Sequence, residues 1–274
     1  MKRHFDDESF QRFLKNFEFL FKIIRESKGE LDLRLRENYF NIYYRGNSLA
    51  KIEFDKFDYK ISIHKKFIDN QEIFKDDSRF YQKGKVIGDY ISYSVIDDLL
   101  HPFLQKEHLK RIYSEIREVN YGEEITFEQM IITDNMERED WYIIDRQVTE
   151  KSFDGRIDLL ALKQIIGNKY NFVVIEVKLG NNTELGGKVA DQLNRYVKHI
   201  NNNFDDWKQS YERYYWQIKK TKIFDCPSFE SIYIIKDVKG MVAIGGYSGI
   251  ASTKTKNLKF LHPEIEVKLF SNRL

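Results

Sequence analysis

The chain has 274 residues, 42% hydrophobic and with only three prolines, which is enough apolar material for a sizeable core and too few breakers for long disordered linkers. Its 45 basic and 43 acidic residues nearly cancel, so any nucleic-acid partner must meet a local basic patch and not the field of the whole chain. The single cysteine, Cys226, excludes an intramolecular disulfide and a cysteine zinc site and suits a reducing compartment. The start, Met1-Lys2-Arg3-His4-Phe5-Asp6, is charged and lacks the apolar centre of a signal peptide, and no apolar run approaches ~18 residues. The expectation is a cytoplasmic protein without a membrane span.

Ser9 is placed to cap a first helix, because Phe10, Phe13, Leu14, Phe17, Leu20, Phe21 and Ile24 follow at helical spacing before Gly29 stops the run. From Leu31 the period changes to two. Leu31, Leu33 and Leu35 alternate with Asp32, Arg34 and Arg36, and further alternating runs centre on Ile42, Ile52 and Ile61. Turn residues separate them at 37–38, 46–47 and 55–58, which predicts an antiparallel meander with one buried face and the first helix packed on it. Segment 70–90 reads as polar and irregular. A helical region is expected over 90–118, bent or broken at Pro102, and Asn120-Tyr121-Gly122 marks a domain boundary. The expected division is an N-terminal α+β module, 1–119, and a second domain, 120–274.

In the second domain, 123–134 reads as a short helix with Glu124, Phe127, Glu128 and Ile131 on one face, and 141–148 as a strand. Two apolar strands follow, Gly155-Arg156-Ile157-Asp158-Leu159-Leu160 and Phe172-Val173-Val174-Ile175-Glu176-Val177-Lys178, joined near Ile166-Gly167-Asn168-Lys169. After the loop 180–187 a helix is expected with Val189, Leu193, Tyr196, Val197 and Ile200 inward. Another covers 204–220, whose aromatics and bases could line a nucleic-acid groove or simply pack. Strands at 231–235 with 241–245, and at 264–270, close the chain.

Three charged groups interrupt the apolar hairpin, and unpaired buried charge costs several kcal/mol. A hairpin tip at Gly167 sets Asp158 directly opposite Glu176, with Cβ atoms roughly 5 Å apart. Glu176 and Lys178 share that face while Val177 points to the core. Facing carboxylates are tolerable if one is protonated or a cation lies between them. With a main-chain carbonyl they make a hard oxygen site suited to Mg²⁺ or Mn²⁺, a setting for phosphodiester hydrolysis in which Lys178 holds the attacking water. The histidines lack zinc spacing, and no Gly-rich phosphate loop occurs.

Gly155-Arg156-Ile157-Asp158, Ile175-Glu176-Val177-Lys178 and Gln192-x-x-x-Tyr196 together resemble the PD-(D/E)xK nuclease superfamily, closest to its RecB-like branch, over roughly 123–200; Ile157 stands where the family name has proline. The resemblance implies an α/β, restriction-endonuclease-like mixed sheet flanked by helices. It implies Asp158, Glu176 and the Val177 carbonyl as metal ligands, Lys178 as the catalytic lysine, and an upstream helical glutamate, Glu124, with Glu128 as the alternative. Gln192 and Tyr196 would support the site or touch nucleic acid, as would Arg146, Gln147 and Arg156. The implied cofactor is Mg²⁺, with Mn²⁺ as substitute. The implied function is metal-dependent hydrolysis of nucleic acid, DNA foremost, with no membrane partner. The N-terminal module would select substrate, bind a partner or form a homodimer. The competing class is a non-catalytic nucleic-acid- or protein-binding module on the same fold.

Overall fold

A computed structural model describes residues 2–68, 84–119, 122–150, 155–223, 227–246 and 249–270. Segment 70–83, the boundary residues Asn120 and Tyr121, and Cys226 lie outside these described residues. The chain is α/β and forms two compact units, residues 2–122 with 217–224, and 123–216 with 225–274. No described helix is long and apolar enough to cross a membrane.

The first unit opens with α1 (Asp7–Asn16) and α2 (Glu18–Glu26). Asp6 is the N-cap instead of the expected Ser9: its Oδ1 accepts the Ser9 backbone N–H at 2.8 Å, satisfying a donor that the first turn leaves open. The expected single helix breaks at Phe17, whose φ of −118° is not helical, yet the apolar stripe survives the break. Phe13 and Phe17 both reach Phe40, with ring centroids 5.0 and 4.9 Å away. The meander follows as β1 (Leu31–Leu35), β2 (Tyr39–Tyr44), β3 (Asn47–Phe54) and β4 (Asp58–His64), all antiparallel. Its far face is not simply polar and open: Asp32 and Arg34 of β1 are both buried and paired at 2.9 Å.

Helix was expected from residue 90, but Tyr90–Ile96 is a strand (β6) that pairs with β4 and with β5 (Lys85–Ile87), giving a sheet ordered β1-β2-β3-β4-β6-β5. The run Tyr90-Ile91-Ser92-Tyr93-Ser94-Val95 alternates with period two, and Ser62 and Ser92, partners in the ladder, join their hydroxyls at 2.8 Å. Helices α3 (Asp97–Phe103, containing Pro102) and α4 (Lys106–Val119) complete this stretch. Gln217 belongs to the same unit because its amide exchanges two 2.9 Å hydrogen bonds with the Phe5 backbone.

The second unit contains α5 (Glu123–Asp134), β7 (Trp141–Val148), β8 (Ile157–Ile166), β9 (Lys169–Leu179), α6 (Lys188–Asn202) and most of α7 (Phe204–Thr221). Then come β10 (Tyr233–Gly245), α8 (Gly249–Leu261) and β11 (Glu266–Leu269). The sheet order is β11-β10-β9-β8-β7: β7, β8 and β9 run antiparallel, and β9, β10 and β11 parallel, which makes it mixed. The two short strands expected at 231–245 are one long strand with an irregularity between Ile235 and Lys239. Helix α8 was not anticipated. Its inward residues, Ala251, Thr255 and Leu258, are too small or polar to give an apolar period.

One face of this sheet buries Leu159, Ala161, Val173, Ile175, Val177, Met241 and Ala243 under Ile131 and Ile132 of α5. The other face carries Phe172, whose ring meets Trp207 and Tyr211 of α7 edge-on, while Leu193 of α6 sits so near Gly240 that a Cβ there would lie 2.8 Å from it. Trp207, Tyr211, Tyr214 and Tyr215 are buried, so these rings of α7 are core and not a stacking surface for bases, while Trp216 is partly buried.

Candidate active site

The site is built on the β8–β9 hairpin. Leu159 pairs with Ile175 and Leu160 with Val174, so residues equidistant from Gly167 face one another, and Asp158 and Glu176 are next on the two strands. Near the tip the register slips by one, with Ile166 opposite Lys169. Val177 enters the core while Asp158, Glu176 and Lys178 are buried beyond it, at 8%, 0% and 7% exposure. The alternation of a strand is what separates the apolar set from the charged one.

Helix α6 supports the carboxylates. The Gln192 amide donates to Glu176 Oε2 at 3.0 Å and to the Tyr196 hydroxyl at 2.9 Å. That hydroxyl also accepts the Arg156 N–H and donates to the Arg156 carbonyl, both at 3.3 Å. Gly155 has φ +133°, and a Cβ there would lie 2.6 Å from the Tyr196 oxygen, so glycine is required twice over, by conformation and by contact.

The electrostatics are crowded. Asp158 Oδ2 accepts the Val177 N–H at 2.9 Å. Burial, reinforced by Asp158, pushes the Glu176 carboxyl up to about 9, and burial raises Asp158 as well. Lys178 Nζ lies 3.4 Å from Glu176, 3.7 Å from Glu124 and 3.2 Å from Glu184. Burial alone would lower its pKa, but Glu176, Asp158 and Glu124 outweigh that and raise it above its ordinary value. Four carboxylates thus surround one ammonium; Glu176 Oε1 is buried and meets no N–H or hydroxyl donor, and the Glu176 and Asp158 carboxyls interact directly. An excess of buried acid and an oxygen without such a donor fit either a retained proton or a divalent cation. Among the described residues no three His, Cys, Asp or Glu side chains converge to hold a metal by themselves, so a cation here would need main-chain oxygen and water as well.

The helical glutamates divide the work. Glu124, half buried, reaches Lys178, and burial raises its pKa. Glu128, buried at 2% exposure, accepts from both Arg146, at 3.3 Å, and Gln147, at 2.8 and 2.7 Å. Burial lifts it to about 7 despite the guanidinium. Arg146 is wholly buried and also donates to Gln129 at 2.6 Å, and Tyr196 is 2% exposed. Each was expected either to support the site or to touch nucleic acid; burial fits the support reading for both. Gln147 has a left-handed φ of 49°, unusual for a residue with a side chain, and both Glu128 oxygens hold its amide. Arg156 is exposed at the mouth and lowers the Asp158 carboxyl slightly against its burial.

Sequence reasoning missed Glu184, Gln129 and Asp145. Glu184 sits on a 3₁₀ turn, Thr183–Gly186, where no period announces its direction. Asp145, fully buried, accepts the Arg146 N–H at 2.8 Å and the Tyr211 hydroxyl at 2.9 Å; a carboxylate inside an apolar strand was the available signal. No family model, curated protein or solved structure matches this chain.

Proposed function

We propose that the second unit carries a metal-dependent nuclease site of the PD-(D/E)xK, restriction-endonuclease-like type, hydrolysing phosphodiester bonds in DNA. The observation that carries this reading is the buried pair Asp158 and Glu176, with one Glu176 oxygen meeting no N–H or hydroxyl donor, next to an ammonium that is itself ringed by acids. The order of antiparallel β7-β8-β9 followed by parallel β10 supports it. Asp158, Glu176 and the Val177 carbonyl would hold Mg²⁺, or Mn²⁺ in its place, which when bound polarises a phosphoryl oxygen and acidifies a water.

The chain's own groups supply the rest. Lys178 keeps its proton at every ordinary pH, so it donates and is not a base: it orients the attacking water and offsets charge growing on the phosphoryl oxygens. Glu124, 3.7 Å from Lys178 Nζ, is placed to accept the proton of the same water. Gln192 fixes the plane of the Glu176 carboxyl. Tyr196 holds the Arg156 backbone and leaves that guanidinium free to meet a phosphate.

The test is a cleavage panel of labelled single-strand, duplex and branched DNA, and RNA, with Mg²⁺ or Mn²⁺. Cleavage that disappears in Asp158→Ala and in Lys178→Ala supports the reading. Binding without cleavage under every metal tried overturns it in favour of a docking module.

A further inference from the structure

An anionic substrate approaching this site meets an excess of carboxylate, with Arg156 the exposed base named beside it, so basic groups further out on the same unit would add to the attraction. Helix α8 supplies them. It carries Lys254, Lys256 and Lys259 and no acidic residue. A side of the helix away from Lys256 and Lys259 joins it to the loop that bears Glu184: Lys254 Nζ donates to the Asn182 carbonyl at 2.9 Å, and Ala251 lies so near Gly180 that a Cβ on that glycine would sit 2.6 Å from it. Ala251, Thr255 and Leu258 form the buried side of the helix. Lys256, Lys259 and Phe260 stand at i, i+3 and i+4, which places them on one side, and all three are exposed. Phe260 is 85% exposed, and Lys256 and Lys259 form no ion pair among the described residues. A bare ring beside two exposed ammonium groups offers a stacking face and two phosphate contacts, which matches a strand with an unpaired base.

We propose that the outer face of α8 is the substrate-binding ledge of the candidate nuclease: Lys256 and Lys259 hold the phosphates of a single DNA strand and Phe260 stacks on one of its bases. This rests on the nuclease reading above.

The experiment is anisotropy of a labelled single-strand oligonucleotide, across a salt series, with full-length protein bearing Asp158→Asn to prevent turnover. Lys256→Glu with Lys259→Glu should weaken binding at least about tenfold at low salt and flatten the log–log salt slope by about 1.4, the value for two lost single-strand phosphate contacts. Phe260→Ala should weaken binding about five- to 160-fold for single strand, the range for one lost stack, and leave duplex binding little changed. Lys163→Glu with Lys169→Glu makes the same charge change on the hairpin and should have a much smaller effect. Unchanged binding in the α8 variants, alongside metal-dependent cleavage by the unmutated protein, overturns the ledge and leaves the nuclease reading standing. A protein that neither binds nor cleaves nucleic acid overturns both. A dimer that dissociates in Phe260→Ala without any change in DNA binding makes a second copy the occupant and also overturns the ledge.

Discussion

Glu176 has no exposed surface, faces Asp158, and keeps its proton to about 9 because burial and that neighbour both oppose ionisation. Glutamine has the same shape and no charge to desolvate. Glu176→Gln should therefore abolish cleavage while stabilising the chelator-treated second unit at pH 8 by at most about 5 kcal/mol, because the unmutated chain must take up a proton at Glu176 to fold at that pH and the glutamine chain need not. A urea midpoint unchanged or lowered at pH 8 would count against this. Lys178→Ala should do the reverse to stability, since Glu176, Glu124 and Glu184 lose their shared cation. Single-turnover rates for that variant should fall about 10²–10³-fold, the effect of removing one donor to developing charge. At this scale the sequence was readable where spacing fixes direction. Asp158, Glu176 and Lys178 sit on strands of period two, and Gln192 and Tyr196 one helical turn apart. Glu184 was not readable, because a 3₁₀ turn after a strand gives no rule for where its carboxyl points.

Among the elements, the hairpin start depends on a glycine that the motif contains for reasons of packing. Gly155→Ala would place a methyl against the Tyr196 hydroxyl at a backbone angle that alanine rarely adopts. The expected cost is about 1–3 kcal/mol, from strain at a left-handed position. The variant should also lose activity out of proportion to its stability, because Tyr196 then ceases to hold Arg156 and Gln192. Circular dichroism melts beside single-turnover rates separate the two effects; a variant with full rate and an unchanged midpoint would refute the account. The elements read correctly from sequence were the four meander strands, α5, β7, the hairpin, α6, α7 and β11, most of them marked by a clear apolar period. Tyr90–Ile96 was misread because its short alternation adjoins a true helical run, and 204–220 left a groove and plain packing both open until the burial of most of its rings favoured packing. Helix α8 escaped because the face it buries contains only one large apolar residue, Leu258.

For the molecule as a whole, the site makes stability depend on pH in a direction opposite to ordinary salt-bridged acids. Glu176 and Glu128 titrate in the folded chain near 9 and 7, above their usual 4.5, chiefly through burial. A raised carboxyl pKa means that the folded state binds more protons than the unfolded state between those values, so stability is fully present at acid pH and is lost as pH rises. The slope approaches about 1.4 kcal/mol per pH unit for each such group: Glu128 contributes up to about pH 7 and Glu176 up to about 9, and Asp158 and Glu124, also raised by burial, add to it in the same direction. Lys178, raised above its usual 10.5, acts only at more alkaline pH and leaves this window alone. Chains with two compact units need not unfold in one step, so the probe must see the right unit. All three tryptophans, Trp141, Trp207 and Trp216, belong to the unit that carries the site. Tryptophan fluorescence in urea should therefore report a midpoint that falls steadily from pH 5 to pH 9 in chelator. Millimolar Mg²⁺ should flatten that fall, because a cation between Asp158 and Glu176 replaces the proton and couples stability to metal concentration in its place. Glu176→Gln should show a shallower fall above pH 7 than the unmutated chain, and little response to Mg²⁺. A wild-type midpoint that rises with pH in chelator would contradict the protonated pair. A pH slope that Mg²⁺ leaves unchanged would contradict the cation.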